Sequence, residues 1–194
     1  MATGTNLMNE DRLKVYIPDV YQYDIMGIDY KLLKAKGIKL LSFDIDDTIP
    51  GAPSKEAIIL FAELKRMGFV IELTSNNHSE HHVKKFAKKL GIAENYTYKA
   101  HKPSPMPFEA LKEKYGYTEN EIAHIGNSIM NDVGGAKASG FITCLVRGNV
   151  HGRKIVKALE ERGLWHKHHV RVKADQYYQL GEIQKYNPID YFKN

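Results

Sequence analysis

Two carboxylates, Asp44 and Asp46, stand one residue apart directly after the run Leu40-Leu41-Ser42-Phe43. A buried strand over that run brings both acids to its C-terminal tip, the edge at which open α/β sheets bind ligands. Acids so close repel one another, which costs free energy unless a cation or a proton lies between them. Alternate residues of a strand share a face, so the pair can divide the work of one reaction. Asp44 can attack as a nucleophile while Asp46 handles the proton. Read alone, the stretch from Asp44 to Thr48 also fits an acidic turn that closes a strand.

Three more groups extend the chemistry. Thr74-Ser75-Asn76-Asn77 follows the run Val70-Ile71-Glu72-Leu73 and leads into a helical pattern. A hydroxyl and amides at a helix start offer donors to an anion, and the helix N-terminus adds its own; the same residues also suit plain helix caps. Tyr98-Lys99-Ala100-His101-Lys102-Pro103 comes next. Lys102 precedes a proline that biases it away from helix, and its ammonium can neutralise both a nucleophilic carboxylate and a phosphate. Finally, His124-Ile125-Gly126-Asn127 runs on to Asp132. The Asn127 and Asp132 side chains supply hard oxygen ligands, the kind Mg²⁺ prefers.

The elements that must position these groups follow from hydrophobic patterning. Apolar strand candidates recur at 39–45, 69–74, 96–100, 122–126 and 141–146, with helical patterns at 55–67, 79–90, 105–115 and 130–139 between them. The second helix starts after Ser79, with Glu80 behind it, and stops at Gly91. Strand-helix alternation with near-continuous apolar strands implies an α/β fold, a parallel sheet covered on both faces. Each chemical group then falls at the C-terminal end of a different strand, and all four converge. A nucleophilic carboxylate ringed by hydroxyl, amide, lysine and metal-binding oxygens fits phosphoryl transfer, which is mostly positioning and charge neutralisation.

This four-part pattern resembles the haloacid dehalogenase-like superfamily, specifically its Mg²⁺-dependent aspartate phosphatases. The resemblance spans residues 13–147 and implies a three-layer Rossmann-like sandwich with sheet order 5-4-1-2-3. It implies Asp44 as the nucleophile that becomes an aspartyl-phosphate. Asp46 would be the general acid and base and would give its main-chain carbonyl to Mg²⁺. It implies Ser75 and Asn76 as phosphate binders, and Lys102 as the link between nucleophile and phosphate. Asn127 and Asp132 would join Asp44 and Asp46 around the metal. Ile17-Pro18-Asp19, Ser75-Asn76-Asn77, Lys99-Ala100-His101-Lys102-Pro103 and the six-residue step from Gly126 to Asp132 are similar to the YqeG-like subclass IIIA branch. That branch includes the mitochondrial-type phosphatidylglycerophosphate phosphatases. Two positions depart from the pattern: Asn127 stands where Asp is usual, and Asp47 where this branch commonly shows Asn. The amide at 127 removes one negative charge from the metal shell.

Only 28 residues separate Asp46 from Ser75 and 26 separate Ser75 from Lys102. One turn, one helix and one strand consume each gap, so no cap domain fits and the site is expected to be open. An open site suits a bulky substrate such as a phospholipid head group, or a partner chain that serves as lid. The leading expectation is a Mg²⁺-dependent phosphomonoester hydrolase with a phosphorylated substrate. The alternative is a catalytically weak or silent relative that binds a phosphorylated ligand or partner, motivated by Asn127. A phosphorelay receiver domain would place its acidic pair and its phosphoacceptor on different strands, whereas Asp44, Asp46 and Asp47 share one.

With 194 residues, 43% hydrophobic and 26% charged, the chain suits one globular catalytic core. Residues 1–147 are expected to form that core with an N-terminal lead-in, and 148–194 to form a basic extension packed on it. The formal charge of +5 is concentrated in 151–173, where Arg153, Lys154, Lys157, Arg162, Lys167, Arg171 and Lys173 face only Glu160 and Glu161. Such a segment is compatible with peripheral contact with an anionic membrane surface, although a solvated helix face gives the same pattern. Nucleic acid is disfavoured, because no aromatic platform is interleaved with the charge. A homo-oligomer is left open. One cysteine, no spanning apolar run and no signal-peptide pattern lead to a cytoplasmic expectation. The histidines at 166, 168 and 169 are poorly spaced for Zn²⁺.

Overall fold

The computed structural model describes residues 10–51, 53–146, 152–164 and 179–180. Three readings of the sequence fall outside them: Val170 to Val172, which suit a short edge strand, most of 176–183, which suits a final helix, and the histidines at 166, 168 and 169. Six strands form one sheet: β1 (Val20–Gln22), β2 (Leu40–Phe43), β3 (Val70–Thr74), β4 (Tyr96–Thr97), β5 (Ile122–Gly126) and β6 (Ile142–Val146). Their order is β1-β6-β5-β2-β3-β4, and every neighbouring pair is parallel. The five expected strands keep the expected order. The difference is β1, a sixth strand at the far edge, where the sequence suggested only a lead-in. Asp19 secures it: its Oδ2 accepts from the Thr143 main-chain N–H and hydroxyl, both at 2.9 Å, and its Oδ1 lies 2.9 Å from Lys137 Nζ.

Helices cover both faces. On one, α2 (Tyr30–Ala35), α3 (Lys55–Arg66) and α4 (Glu80–Lys89) bury Leu33, Phe61 and Val83 against Leu41, Phe43, Ile71, Leu73, Ala123 and Ile125. Ser54 and Ser79 cap α3 and α4 by accepting the N–H groups of Ala57 and His82, satisfying donors that a helix start leaves unpaired. On the other face α5 (Met106–Tyr115) packs Phe108 and Leu111 on Leu40 and Ile122. There α1 (Glu10–Lys14) and α7 (Arg153–Glu161) place Leu13, Val156 and Leu159 against Tyr21 and Leu145. The pattern expected as one helix over 130–139 is a π-helical turn, Ile129–Gly134, that runs into a short α6, Gly135–Ala138. Wide turns of this kind are frequent at functional sites.

The strands are less purely apolar than their sequences suggest. Ser42 is in register with Glu72 on one side and His124 on the other, and His124 with Thr143. Four buried polar side chains thus form a row across the sheet, on the face that α5 covers. Glu72 is satisfied by Thr97, Lys114 and Tyr115, at 2.9, 2.7 and 2.5 Å. Among the described residues no helix is long and apolar enough to cross a membrane, and no element lies between β2 and β4 beyond α3, β3 and α4.

Candidate active site

At the C-terminal edge of β2, β3 and β5 lies a cavity of about 240 Å³, lined by Asp44, Asp46, Asp47, Ser75, Asn76, Asn77, Lys102, Asn127, Ser128, Asn131 and Asp132. Every site residue read from the sequence is in this lining. Parallel pairing explains the convergence, because each strand ends at the same edge and hands its next residues to the same space.

Lys102 is at the centre. Its Nζ lies 2.8 Å from Asp44 Oδ1 and 2.6 Å from Asp132 Oδ1, and its side chain is only 1% exposed. Burial alone would lower this ammonium, but the two carboxylates more than offset it and raise its pKa. One cation is shared between two acids, and they share it unequally. Burial would also raise the Asp132 carboxyl, yet Lys102 and His124 hold it well below the usual range. Asp44 is raised to about 6 by burial and by the charge of Asp132, with Lys102 opposing. Its second oxygen accepts from the Thr48 hydroxyl at 3.0 Å, which explains the threonine four residues on.

Asp132 has both oxygens engaged. Oδ1 meets Lys102 and, at 3.2 Å, His124 Nε2, while Oδ2 accepts the Ser128 N–H at 2.8 Å. The glycine six residues earlier makes room for it. A Cβ at Gly126 would come within 2.2 Å of Asp132 Cγ. Asp132, expected as a metal ligand, is thus also the residue that holds Lys102.

Asn76, expected as a phosphate binder, also turns its side-chain amide to Lys102. Its Oδ1 accepts the Lys102 N–H at 2.8 Å and its Nδ2 donates to the Lys102 carbonyl at 2.9 Å. The amide oxygen and one Nδ2 proton are so engaged, which leaves Asn76 its main-chain N–H and one remaining Nδ2 proton to offer an anion. The Ser75 hydroxyl, buried in the cavity wall, accepts from the Asn77 N–H at 3.1 Å and keeps its proton to donate. Asp46 stands at the mouth with its side chain 59% exposed, 3.2 Å from Asn77 Nδ2 and 3.8 Å from His82 Nε2. Asp47 takes a left-handed conformation, φ 60°, at the turn that brings Asp46 round. Asn, which tolerates that region best among non-glycine residues, would be easier there than Asp.

The residues that sequence reading missed lie beneath the cavity. His124 Nδ1 lies 2.9 Å from the Ser42 hydroxyl, which lies 2.8 Å from that of Thr74. The signal was present: each is a polar residue inside an apolar run, just before a residue of the site.

The donor set suits a hard cation. Asp44, the Asp46 main-chain carbonyl, Asn127 and Asp132 are all oxygen donors, and the paired acids outnumber the one buried lysine. Among the described residues no three His, Cys, Asp or Glu side chains converge as a ready-made metal cluster. A sparse shell of one or two carboxylates completed by water is the pattern of Mg²⁺ rather than Zn²⁺.

Comparison with known proteins identifies the family. The family model described as haloacid dehalogenase-like hydrolase matches residues 44–140. "Probable phosphatase YqeG" of Bacillus subtilis (strain 168) is 31% identical over 138 residues, covering 69% of this chain and 78% of that protein. Phosphatidylglycerophosphate phosphatase 1, chloroplastic/mitochondrial, of Arabidopsis thaliana is 25% identical over 157 residues, 75% of this chain but 44% of that protein. Among solved structures, 3-deoxy-D-manno-octulosonate 8-phosphate phosphatase from Moraxella catarrhalis, in complex with magnesium and phosphate ions, aligns over 68% of this chain and 92% of its own. Its TM-score is 0.43 at 16% identity. The chain belongs to the haloacid dehalogenase-like hydrolase family, as a phosphatase-type member.

Proposed function

We propose that the protein is a Mg²⁺-dependent phosphomonoester hydrolase that works through an aspartyl-phosphate on Asp44. The observation that carries this reading is the buried Lys102, bonded at once to Asp44 and Asp132. It fixes one carboxylate at the cavity floor with its charge partly neutralised, as a nucleophile facing an anionic substrate must be.

In this reading Asp44 attacks phosphorus and the bond to the leaving oxygen breaks, while Asp46 gives that oxygen its proton. Asp46 then takes a proton from water, whose oxygen attacks the acyl-phosphate and frees Asp44 and inorganic phosphate. Both carboxylates return to their starting states. The Ser75 hydroxyl, the Asn76 main-chain N–H and Lys102 bind phosphoryl oxygens. Mg²⁺ would be held by Asp44, the Asp46 carbonyl and Asn127, with Asp132 adding its charge. When bound, it supplies neutralisation of the phosphoryl group and of the crowded acids.

The substrate is the finer part of the proposal. A cavity of about 240 Å³ takes a phosphoryl group and little more, and among the described residues no cap stands over the exposed Asp46. That openness favours a bulky substrate whose body stays outside, such as a phospholipid head group. Similarity to a phosphatidylglycerophosphate phosphatase supports the same class. The test is phosphate release from phosphatidylglycerophosphate and from soluble phosphomonoesters, with and without Mg²⁺, in wild type and Asp44→Asn. Release by wild type only, and only with Mg²⁺, is expected; equal release by Asp44→Asn overturns the mechanism.

Asn127 favours a second reading, a weak enzyme that mainly binds its phosphorylated ligand. Restoring the carboxylate with Asn127→Asp discriminates between the two. In a working enzyme it lowers the half-maximal Mg²⁺ concentration, about tenfold for ~1.4 kcal/mol of added binding. In a binder, activity arises only in the variant.

A further inference from the structure

We infer that Asn76 is a positioning residue whose side chain sets the placement of Lys102, rather than a side-chain ligand of phosphate; the inference rests on the phosphatase reading above.

The β3–β4 ladder is short. It pairs Leu73 with Tyr96 and Thr74 with Thr97, and among the described residues no strand lies beyond β4. Past the ladder the two chains stay joined by single main-chain bonds: Ser75 N–H to Thr97, Ala100 N–H to Ser75 and Lys99 N–H to Asn77, at 2.9, 2.9 and 3.0 Å. The chain must then turn to deliver Lys102, and it does so through uphill conformations. Lys99 and His101 have φ of 48° and 60°, a region unfavourable for a non-glycine residue. Something must hold such a turn in place.

At Lys102 the main-chain rungs are replaced by one side chain. Asn76 accepts from the Lys102 N–H and donates to the Lys102 carbonyl. The amide orientation is unambiguous, because an N–H needs the oxygen and a carbonyl needs the NH₂. The next residue, Pro103, has no N–H with which to extend the pairing. Asn76 therefore acts as a side-chain rung that carries the β3 end across to the residue bearing the ammonium. Two bonds to one residue fix both position and orientation, and the side chain that follows reaches Asp44 at 2.8 Å. A single bond would leave rotation free.

The experiment separates this role from phosphate binding and from mere support of the fold. Amide hydrogen exchange by NMR reads the Lys102 N–H directly, without activity. In Asn76→Ala, protection of that amide should be lost while Ile71 and Leu73 in β3 keep theirs. Asn76→Asp retains an acceptor and should keep protection; it serves also if Asn76→Ala does not fold. With Mg²⁺ and p-nitrophenyl phosphate, Asn76→Ala should lower kcat by about 10- to 100-fold with KM nearly unchanged. In a Lys102→Met background the same change should alter kcat by less than about twofold, the signature of two residues acting as one. Retained Lys102 protection in Asn76→Ala, or losses that multiply in the double variant, overturns the proposal, as does a rise in KM without a fall in kcat. If no variant or wild type hydrolyses any phosphomonoester, the phosphatase reading fails, and the exchange result still decides whether Asn76 holds Lys102.

Discussion

His124 Nε2 lies 3.2 Å from Asp132 Oδ1, and the opposite ring nitrogen lies 2.9 Å from the Ser42 hydroxyl. Burial pushes the imidazole pKa down, so the ring is neutral and carries one proton. Asp132 is a carboxylate and needs a donor, which assigns that proton to Nε2. Nδ1 then accepts from Ser42, and Ser42 in turn accepts from Thr74. A directed chain from β3 through β2 to β5 thus ends on the acid that holds Lys102. His124→Leu should leave Ser42 and Asp132 each short of a partner and destabilise the protein by about 1–3 kcal/mol. His124→Gln, which can still donate, should cost less. Urea unfolding measures both; equal stability of wild type and His124→Leu would remove the chain from the account.

Gly126→Ala tests the seat of Asp132 from the other side. The added methyl would meet not only Cγ at 2.2 Å but also Asp132 Cβ at 2.5 Å. Lys102, His124 and Ser128 fix that side chain, so it has no easy escape. We expect phosphatase activity to fall by at least about 100-fold, since an ångström of misplacement is enough for that. A fully active Gly126→Ala would mean that Asp132 can move freely without consequence.

Cys144 gives a pH-dependent prediction away from the site. The thiol is buried in β6, and burial raises its pKa well above the ordinary value of 9.0. In the folded protein it should not react with an aromatic disulfide reagent at pH 8, and one equivalent should react after denaturation. The linkage has a definite sign. Above about pH 9 the unfolded state loses a proton that the folded state keeps, so stability falls as pH rises, by up to ~1.4 kcal/mol per pH unit. Cys144→Ala should flatten that part of the alkaline slope.

Much of the fold was legible because apolar runs and caps repeat at intervals suited to a parallel sheet. The β5 boundaries, Ile122–Gly126, agree with the expected strand, and Ser79 begins α4 as its residue type requires. The site was legible for the same reason, since strand ends share an edge. What stayed hidden depends on register. Ser42, Glu72, His124 and Thr143 each look like an isolated polar interruption, and only pairing shows that they lie side by side. The three-residue β1 was too short to declare itself next to Pro18. Asn76 was legible in type but not in use, because nothing in its spacing distinguishes an amide that binds anions from one that ties a neighbouring loop.

The lysine on which the whole site depends hangs from the weakest element of the sheet. Among the described residues β4 has two residues and one neighbouring strand, while β2, two strands inward, is paired on both sides. Regions of few contacts open at lower free energy than the whole molecule does. On warming, β4 and the loop behind it should therefore let go before the core melts, and catalytic competence should vanish while helical circular dichroism is intact. Cooling should restore it at once, because nothing in the core has been lost. Coincident loss of activity and ellipticity on a heating ramp would show that the edge and the core unfold as one unit. If they separate, this enzyme has a working temperature set by its margin, several degrees below the one at which it denatures.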